Sequence, residues 1–242
     1  MYKNMKKYSI LLFLLLITSC INSTSEKNNE NSLIIMDSVA LTRYYYKIQG
    51  NNKTNEGDLK GGIEYYTKAI TVDSLYDTAY FNRANNKMTL GDQKGALNDF
   101  SKAIEINKHF IFAYINRGIL KSQMQDFEGE LSDYRLAIKN CEPNANLYNN
   151  LGRALYDLER FKESAEAYGE GIKHFPKDYR LYYGRGLARQ HTGDKRGACE
   201  DWMKSSELGC VQANILLPLC DEYMKERTDS LKRQNEEKER PE

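Results

Sequence analysis

Three asparagines, Asn82, Asn116 and Asn150, stand 34 residues apart. A side-chain amide offers both a donor and an acceptor, so a ladder of such groups can hydrogen-bond the backbone of an extended peptide whatever its sequence. Sulfur supplies a second set of candidates, in Cys20, Cys141, Cys199, Cys210 and Cys220. The titratable residues supply no catalytic pattern. There is no GxSxG, no HExxH, no phosphate-cradling GxxxxGK and, in the repeats described below, no SxxK. Glu128 and Glu130 are two residues apart and do not share a helical face. His109, His174 and His191 have no ligand spacing and no CxxC accompanies them, so no metal, no cofactor and no enzyme activity are expected.

The elements that must carry these groups are written as columns. Tyr46, Tyr80, Tyr114, Tyr148 and Tyr182 recur every 34 residues, and so do Tyr66, Phe100, Tyr134, Tyr168 and Trp202. Between them run Gly62, Ala96, Glu130, Ser164 and Ala198, and after them Ala69, Ala103, Ala137, Gly171 and Ser205. A fixed period of this length, with small residues between aromatics, predicts a helix-turn-helix repeat stacked into an all-α solenoid. Five repeats follow, at 43–76, 77–110, 111–144, 145–178 and 179–212. Numbering each repeat from its first residue, helix A is expected at about positions two to 14 and helix B at about 17 to 30. Position eight holds Gly50, Ala84, Gly118, Gly152 and Gly186, small enough for the two helices to approach closely.

Three places strain the pattern. Asn51, Asn52, Lys53 and Thr54 fall where helix A of repeat one should continue, and fraying or a bulge is expected there. Glu130 replaces a small residue at the tight crossing, so local splaying or an outward-turned carboxylate is expected. Arg83, Arg117 and Arg185 recur at position seven, where they are expected to meet Asp99, Asp133 and Asp201 at position 23. Repeat four lacks both partners and has Leu151 and Ala167 instead.

These columns resemble the tetratricopeptide repeat, over residues 43–212. The chain departs from that pattern at Glu130, at Lys53, where an aromatic is usual, and in having proline at position 32 only as Pro176. The resemblance implies a right-handed superhelix whose concave wall is lined by the A helices, and an activity of binding a peptide or another protein. It places Phe81, Asn82, Asn85, Phe112, Ile115, Asn116, Ile119, Asn150, Arg153, Tyr156 and Tyr183 on that wall as partner-binding candidates. They make an apolar and aromatic surface with few charges, suited to a neutral or hydrophobic segment. Lys47, Arg153 and Arg180 are too scattered for the carboxylate clamp of chaperone-binding relatives.

Beyond the repeats, residues 213–227 read as a capping helix over repeat five, with Pro218 predicting a kink, and 228–242 as a charged tail. Cys199 on helix B of repeat five and Cys220 on the cap are the favoured disulfide; Cys199 with Cys210 is the rival. Cys199-Glu-Asp-Trp202, Leu208-Gly209 and a closing Cys220 also resemble the ending of repeat lipoproteins from Bacteroidetes-type bacteria.

At the other end, Lys3, Lys6 and Lys7 precede an apolar stretch, Ile10 to Ile17, that reads as a secretion signal over 1–19. Ile17-Thr18-Ser19-Cys20 resembles the bacterial lipobox, which implies cleavage before Cys20 and its attachment to lipid. Residues 20–42 are expected to form the lipidated cysteine and a flexible tether. With 35 Lys and Arg against 34 Asp and Glu, the net charge is +1 and gives no footprint for nucleic acid. The reading that joins these features is a lipid-anchored interaction scaffold of the bacterial envelope, at the outer membrane facing the periplasm, with a protein or peptide partner. A carbohydrate- or cell-wall-binding accessory protein is the alternative.

Overall fold

Asp58, Asp92, Asp126 and Asp194 each accept a hydrogen bond from the backbone N–H three residues later, on Gly61, Gly95, Gly129 and Gly197, at 2.9 to 3.0 Å. Each bond satisfies an N–H that the helix itself leaves unpaired, so this short D-x-x-G pattern starts helix B in four of the five repeats. The computed structural model describes residues 28–221 and 225, with side chains from residue 38. The signal over 1–19, Cys20 and the tail over 228–242 lie outside the described residues.

The helices follow the period. They are α1 (Asn28–Asn55), α2 (Leu59–Val72), α3 (Asp77–Thr89), α4 (Gln93–Ile106), α5 (Ile111–Gln123), α6 (Phe127–Asn140), α7 (Ala145–Asp157), α8 (Phe161–His174), α9 (Tyr179–His191), α10 (Lys195–Glu207) and α11 (Val211–Leu216). A 3₁₀ turn, Leu217–Cys220, closes the series, and no strand occurs among the described residues. The fold class is therefore all-α, built of helix pairs with a short cap.

Residues to Asn86 form one compact unit and those from Lys87 another. In the first, α1 packs on α2 through Tyr66, whose ring covers Gly50 so closely that an added Cβ would meet its Cε1 at 2.5 Å. Two expectations are corrected here. The tether predicted over residues 20–42 is helical from Asn28 onward, because α1 runs without interruption into helix A of repeat one. The predicted fray at Asn51–Thr54 is absent. Asn51 Oδ1 accepts from Tyr66 Oη at 2.9 Å and from Asn82 Nδ2 at 3.2 Å, and Thr54 Oγ1 accepts from Asn86 Nδ2 at 2.8 Å. Poor helix formers are held in helix because their polar ends are partners for the next layer.

In the second unit, successive pairs pack side by side: α4 on α5, α6 on α7, α8 on α9 and α10 on α11. Tyr134 covers Gly118, Tyr168 covers Gly152 and Trp202 covers Gly186, so one aromatic per layer fills the space that glycine leaves. Phe100, Tyr134 and Trp202 are almost wholly buried. Glu130 is not turned outward, and the predicted splaying is corrected: it is buried at 5% exposure and accepts a 3.1 Å hydrogen bond from Tyr134 Oη. The aromatic that fills the layer supplies the donor that makes a buried carboxyl tolerable.

The aspartates at position 23 are sealed in the same way. Asp133 binds Arg117 through two bonds of 2.9 and 2.6 Å and Lys121 at 3.0 Å; Asp201 binds Arg185 at 2.9 and 2.7 Å and Arg189 at 2.9 Å. Asp99 pairs with Lys87 at 2.8 Å, while in the first unit Arg83 donates to Thr67 Oγ1 at 3.1 Å. Repeat four replaces the whole group by Leu151, Leu155 and Ala167, all buried.

The cap starts at Val211, two residues ahead of the predicted 213, because α10 is one residue shorter than the other B helices and its link to α11 is one residue shorter. Pro218 falls in the first turn of the 3₁₀ segment, where its missing N–H costs no hydrogen bond. The Sγ atoms of Cys199 and Cys220 are bonded at 2.09 Å, Cys210 is a buried thiol and Cys141 a partly buried one. Ala198, Cys199, Trp202, Cys210, Ala213 and Cys220 form one buried cluster, against which Tyr183, Leu187, Leu216 and Leu217 pack.

Candidate functional site

The fifth, sixth and ninth residues of each A helix lie on one face, and in the second unit that face runs across α5, α7 and α9. On α5, Phe112 stands 53% exposed, Asn116 and Ile119 are half-buried, and Ile115 is buried at 8%. Ile115 was expected on an open wall; it packs into the layer instead, because a branched apolar side chain gains more by burial than by facing water. On α7, Asn150 is half-buried and Arg153 exposed. In the first unit, Phe81, Asn82 and Asn85 are half-buried on α3, and the Asn82 amide is engaged with Asn51.

Arg153 is the centre of this face. Arg180 is held by Asp178 and Asn146, and Arg185 and Arg189 by Asp201. Arg153 makes no ion pair and Asn150 no hydrogen bond within the described residues. They are three residues apart and so share a helical face. Burial pushes the hydroxyls of Tyr134 and Tyr168 well above the ordinary tyrosine range, Glu130 adds to the rise at Tyr134, and the charge of Arg153 opposes it at both. The amide column itself stops at Gly184, where an added Cβ would fall 2.6 Å from Tyr168 Oη.

Tyr156 and Tyr183 are less free than the sequence suggested. Tyr156 Oη lies 2.8 Å from His191 Nε2, its ring meets Phe161 and His191 edge-on, and Phe161 stacks on His191 at 4.2 Å. Tyr183 leans on the cluster beneath the cap. Sequence reasoning set His191 aside as a lone histidine. Its contact joins the end of one A helix to the end of the next, and at a separation of 35 residues it falls outside the 34-residue columns.

Residues 77–110 and 145–178 each match the family described as Tetratricopeptide repeat. Two of the five repeats thus match the tetratricopeptide repeat itself. Over 48 residues it is 38% identical to an uncharacterized protein of Methanocaldococcus jannaschii, a stretch covering 20% of this chain and 55% of that protein. The chain thus spans little more than half the length of that relative. Among solved structures it is similar to MamA, with a TM-score of 0.60 and 23% identity over 69% of this chain and 91% of that one. MamA from Desulfovibrio magneticus gives 0.58 and 17% over 69% and 94%. YrrB, described as a TPR protein with an unusual peptide-binding site, gives 0.55 and 18% over 68% and 84%. At these identities the likeness is one of fold.

Tetratricopeptide repeats are a non-catalytic interaction module, and this stack of helix pairs is consistent with a protein-binding scaffold. Among the described residues no group of three His, Cys, Asp or Glu side chains could hold a metal ion, and no helix is long and apolar enough to cross a membrane.

Proposed function

We propose that this chain is a lipid-anchored scaffold of the bacterial envelope, facing the periplasm, that holds an extended segment of a partner protein along its A-helix face. The carrying observation is the pair on α7, Asn150 and Arg153, which share a face; among the described residues Asn150 makes no side-chain hydrogen bond and Arg153 no ion pair. An amide and a guanidinium on one helical face suit the carbonyls of a peptide backbone, because both present N–H donors in fixed geometry. The lipobox-like Ile17-Thr18-Ser19-Cys20 supports the anchor, and a Cys199–Cys220 disulfide suits an oxidising compartment. Acyl chains on Cys20 would hold the domain at a membrane, each buried CH₂ contributing about 0.8 kcal/mol.

Affinity capture from detergent-solubilised membranes of the native host tests this face, with the wild type beside an N150A/R153A variant. One partner recovered by the wild type and depleted with the variant is expected; equal recovery by both sinks the proposal. The anchor is read separately by labelled palmitate and membrane fractionation. Cys20→Ser should abolish incorporation and move the chain to the soluble fraction.

A further inference from the structure

The aromatic at position 24 of each repeat carries a polar atom in four of the five, and what that atom meets changes from layer to layer. Tyr66 Oη donates to Asn51 Oδ1 at 2.9 Å, and the same oxygen accepts from Asn82 Nδ2 at 3.2 Å. Tyr134 Oη donates to Glu130 Oε1 at 3.1 Å. Tyr168 is packed as deeply, at 5% exposure, yet its hydroxyl makes no hydrogen bond among the described residues. Among the described residues below the surface, only Trp202 Nε1 is both sealed from solvent and without a partner. The Tyr168 hydroxyl, unpartnered as well, therefore keeps an opening to solvent.

Packing does not ask for this hydroxyl, because Phe100 fills the same place in repeat two at 0% exposure. The sequence of repeat four shows why it goes unpaired. Position nine, an asparagine in repeat one, is Arg153, which has donors only. Position 12, where Thr54 reaches Tyr66 at 3.3 Å, is Tyr156, whose own hydroxyl lies 2.8 Å from His191 Nε2. Position 20, the carboxyl of repeat three, is Ser164, whose Oγ is turned to Gly152 O at 2.7 Å. Position six of the following repeat, where Asn82 joins the group around Tyr66, is Gly184 and has no side chain to offer. A Cβ on Gly184 would fall 2.6 Å from Tyr168 Oη, and one on Gly152 would fall 2.6 Å from Cζ, so the tip of the ring lies between two bare stretches of helix. The hydroxyl takes up the space that an asparagine at this place in the column would fill. The charges of Arg153 and Asp157 both reach the phenol, the first lowering and the second raising its pKa.

We propose that Tyr168 is a ligand-contacting residue, its hydroxyl donating to a backbone carbonyl of the segment that lies against Asn150 and Arg153, and so serving in repeat five as asparagine does earlier in the column. The inference rests on the scaffold reading above and adds to it a side chain from a B helix, α8. A hydroxyl already withdrawn from most of its water and short of a partner gains more from a ligand oxygen than one that must first break an internal bond. Gly184 is what leaves room for it, and the layer beneath holds the ring in place. An ordered water is the competing occupant.

The full chain purified in detergent is panned against phage-displayed random dodecapeptides, and the peptides selected are measured by fluorescence anisotropy against the wild type, Y168F and N150A/R153A. Y168F is expected to raise Kd about fivefold. Its urea midpoint is expected to equal or exceed that of the wild type, because the free protein loses no bond. Equal Kd for wild type and Y168F overturns the inference and leaves water as the hydroxyl's partner. A lower urea midpoint for Y168F overturns it too, by giving the hydroxyl a partner within the fold. Weakening by N150A/R153A alone removes Tyr168 and keeps the scaffold reading. Weakening by Y168F alone upholds Tyr168 and removes the role of Asn150 and Arg153. Failure to select any peptide, or equal binding by all three proteins, overturns both readings.

Discussion

Arg117 and Asp133 meet through two parallel N–H···O bonds, Nε to Oδ2 at 2.9 Å and Nη2 to Oδ1 at 2.6 Å, with the aspartate only 1% exposed. Lys121 closes on the same carboxylate at 3.0 Å. Asp133→Ala leaves two cations without a counter-charge in a nearly dry layer, and a loss of about 3 to 5 kcal/mol is expected in urea unfolding followed by circular dichroism. Repeat four shows the apolar solution to the same packing problem. The triple replacement R117L/K121L/D133A, which copies Leu151, Leu155 and Ala167, should recover most of that loss.

Glycine at position eight can be tested against helix propensity. In an exposed helix Gly→Ala stabilises by about 1 kcal/mol. At Gly152 the new Cβ would fall 2.6 Å from Tyr168 Cζ, so Gly152→Ala should instead destabilise, by about 1 to 3 kcal/mol. A raised urea midpoint for this variant would show that the ring can move aside at little cost.

The turn between helices A and B needs a left-handed residue. Gly91 and Gly193 supply it at φ +84°, while repeats three and four use Gln125 at +63° and Glu159 at +57°. A side chain there crowds the backbone, and glycine removes that cost while raising the entropy of the unfolded chain, which offsets part of the gain. Glu159→Gly is expected to stabilise by about 0.5 to 1 kcal/mol, visible as a higher melting temperature.

Alkaline unfolding should follow the buried phenols. The folded-state pKa values of Tyr134 and Tyr168 are raised, chiefly by burial, above the unfolded value of about 10. The stability they contribute is then fully present below about pH 10 and is lost as pH climbs through their raised values. Phenolate absorbance should rise together with loss of helix in the wild type, and Y168F, which leaves the Tyr134–Glu130 hydrogen bond intact, should shift the onset of unfolding to higher pH.

The disulfide acts on the cap alone. Chain-entropy reasoning gives about 3 kcal/mol for a loop of this size, and C199S/C220S should show it as faster amide exchange over 211–220 with little change over 111–174. Uniform acceleration across the repeats would instead make the cap part of one cooperative unit.

The 34-residue columns determined the all-α class, the boundaries of the helices of repeats two to five to within a residue or two and the aromatic-over-glycine layers, because each column reports a contact made inside or between adjacent layers. The Arg–Asp pairing of repeats three and five was legible for the same reason: positions seven and 23 face each other in both. What the sequence left open was whatever depends on a particular neighbour. Asn51 and Thr54 look like helix breakers until Asn82 and Asn86 are brought beside them, and Glu130 looks intolerable until the Tyr134 hydroxyl is seen to reach it. The candidate face was legible as a set of positions, but its members were sorted only by packing. Ile115 sinks into the layer, Tyr156 turns to His191, and Asn150 and Arg153 remain open. Periodicity tells which way a Cβ points; whether the atoms beyond it find a partner is decided by side chains from other layers, and that needs the fold.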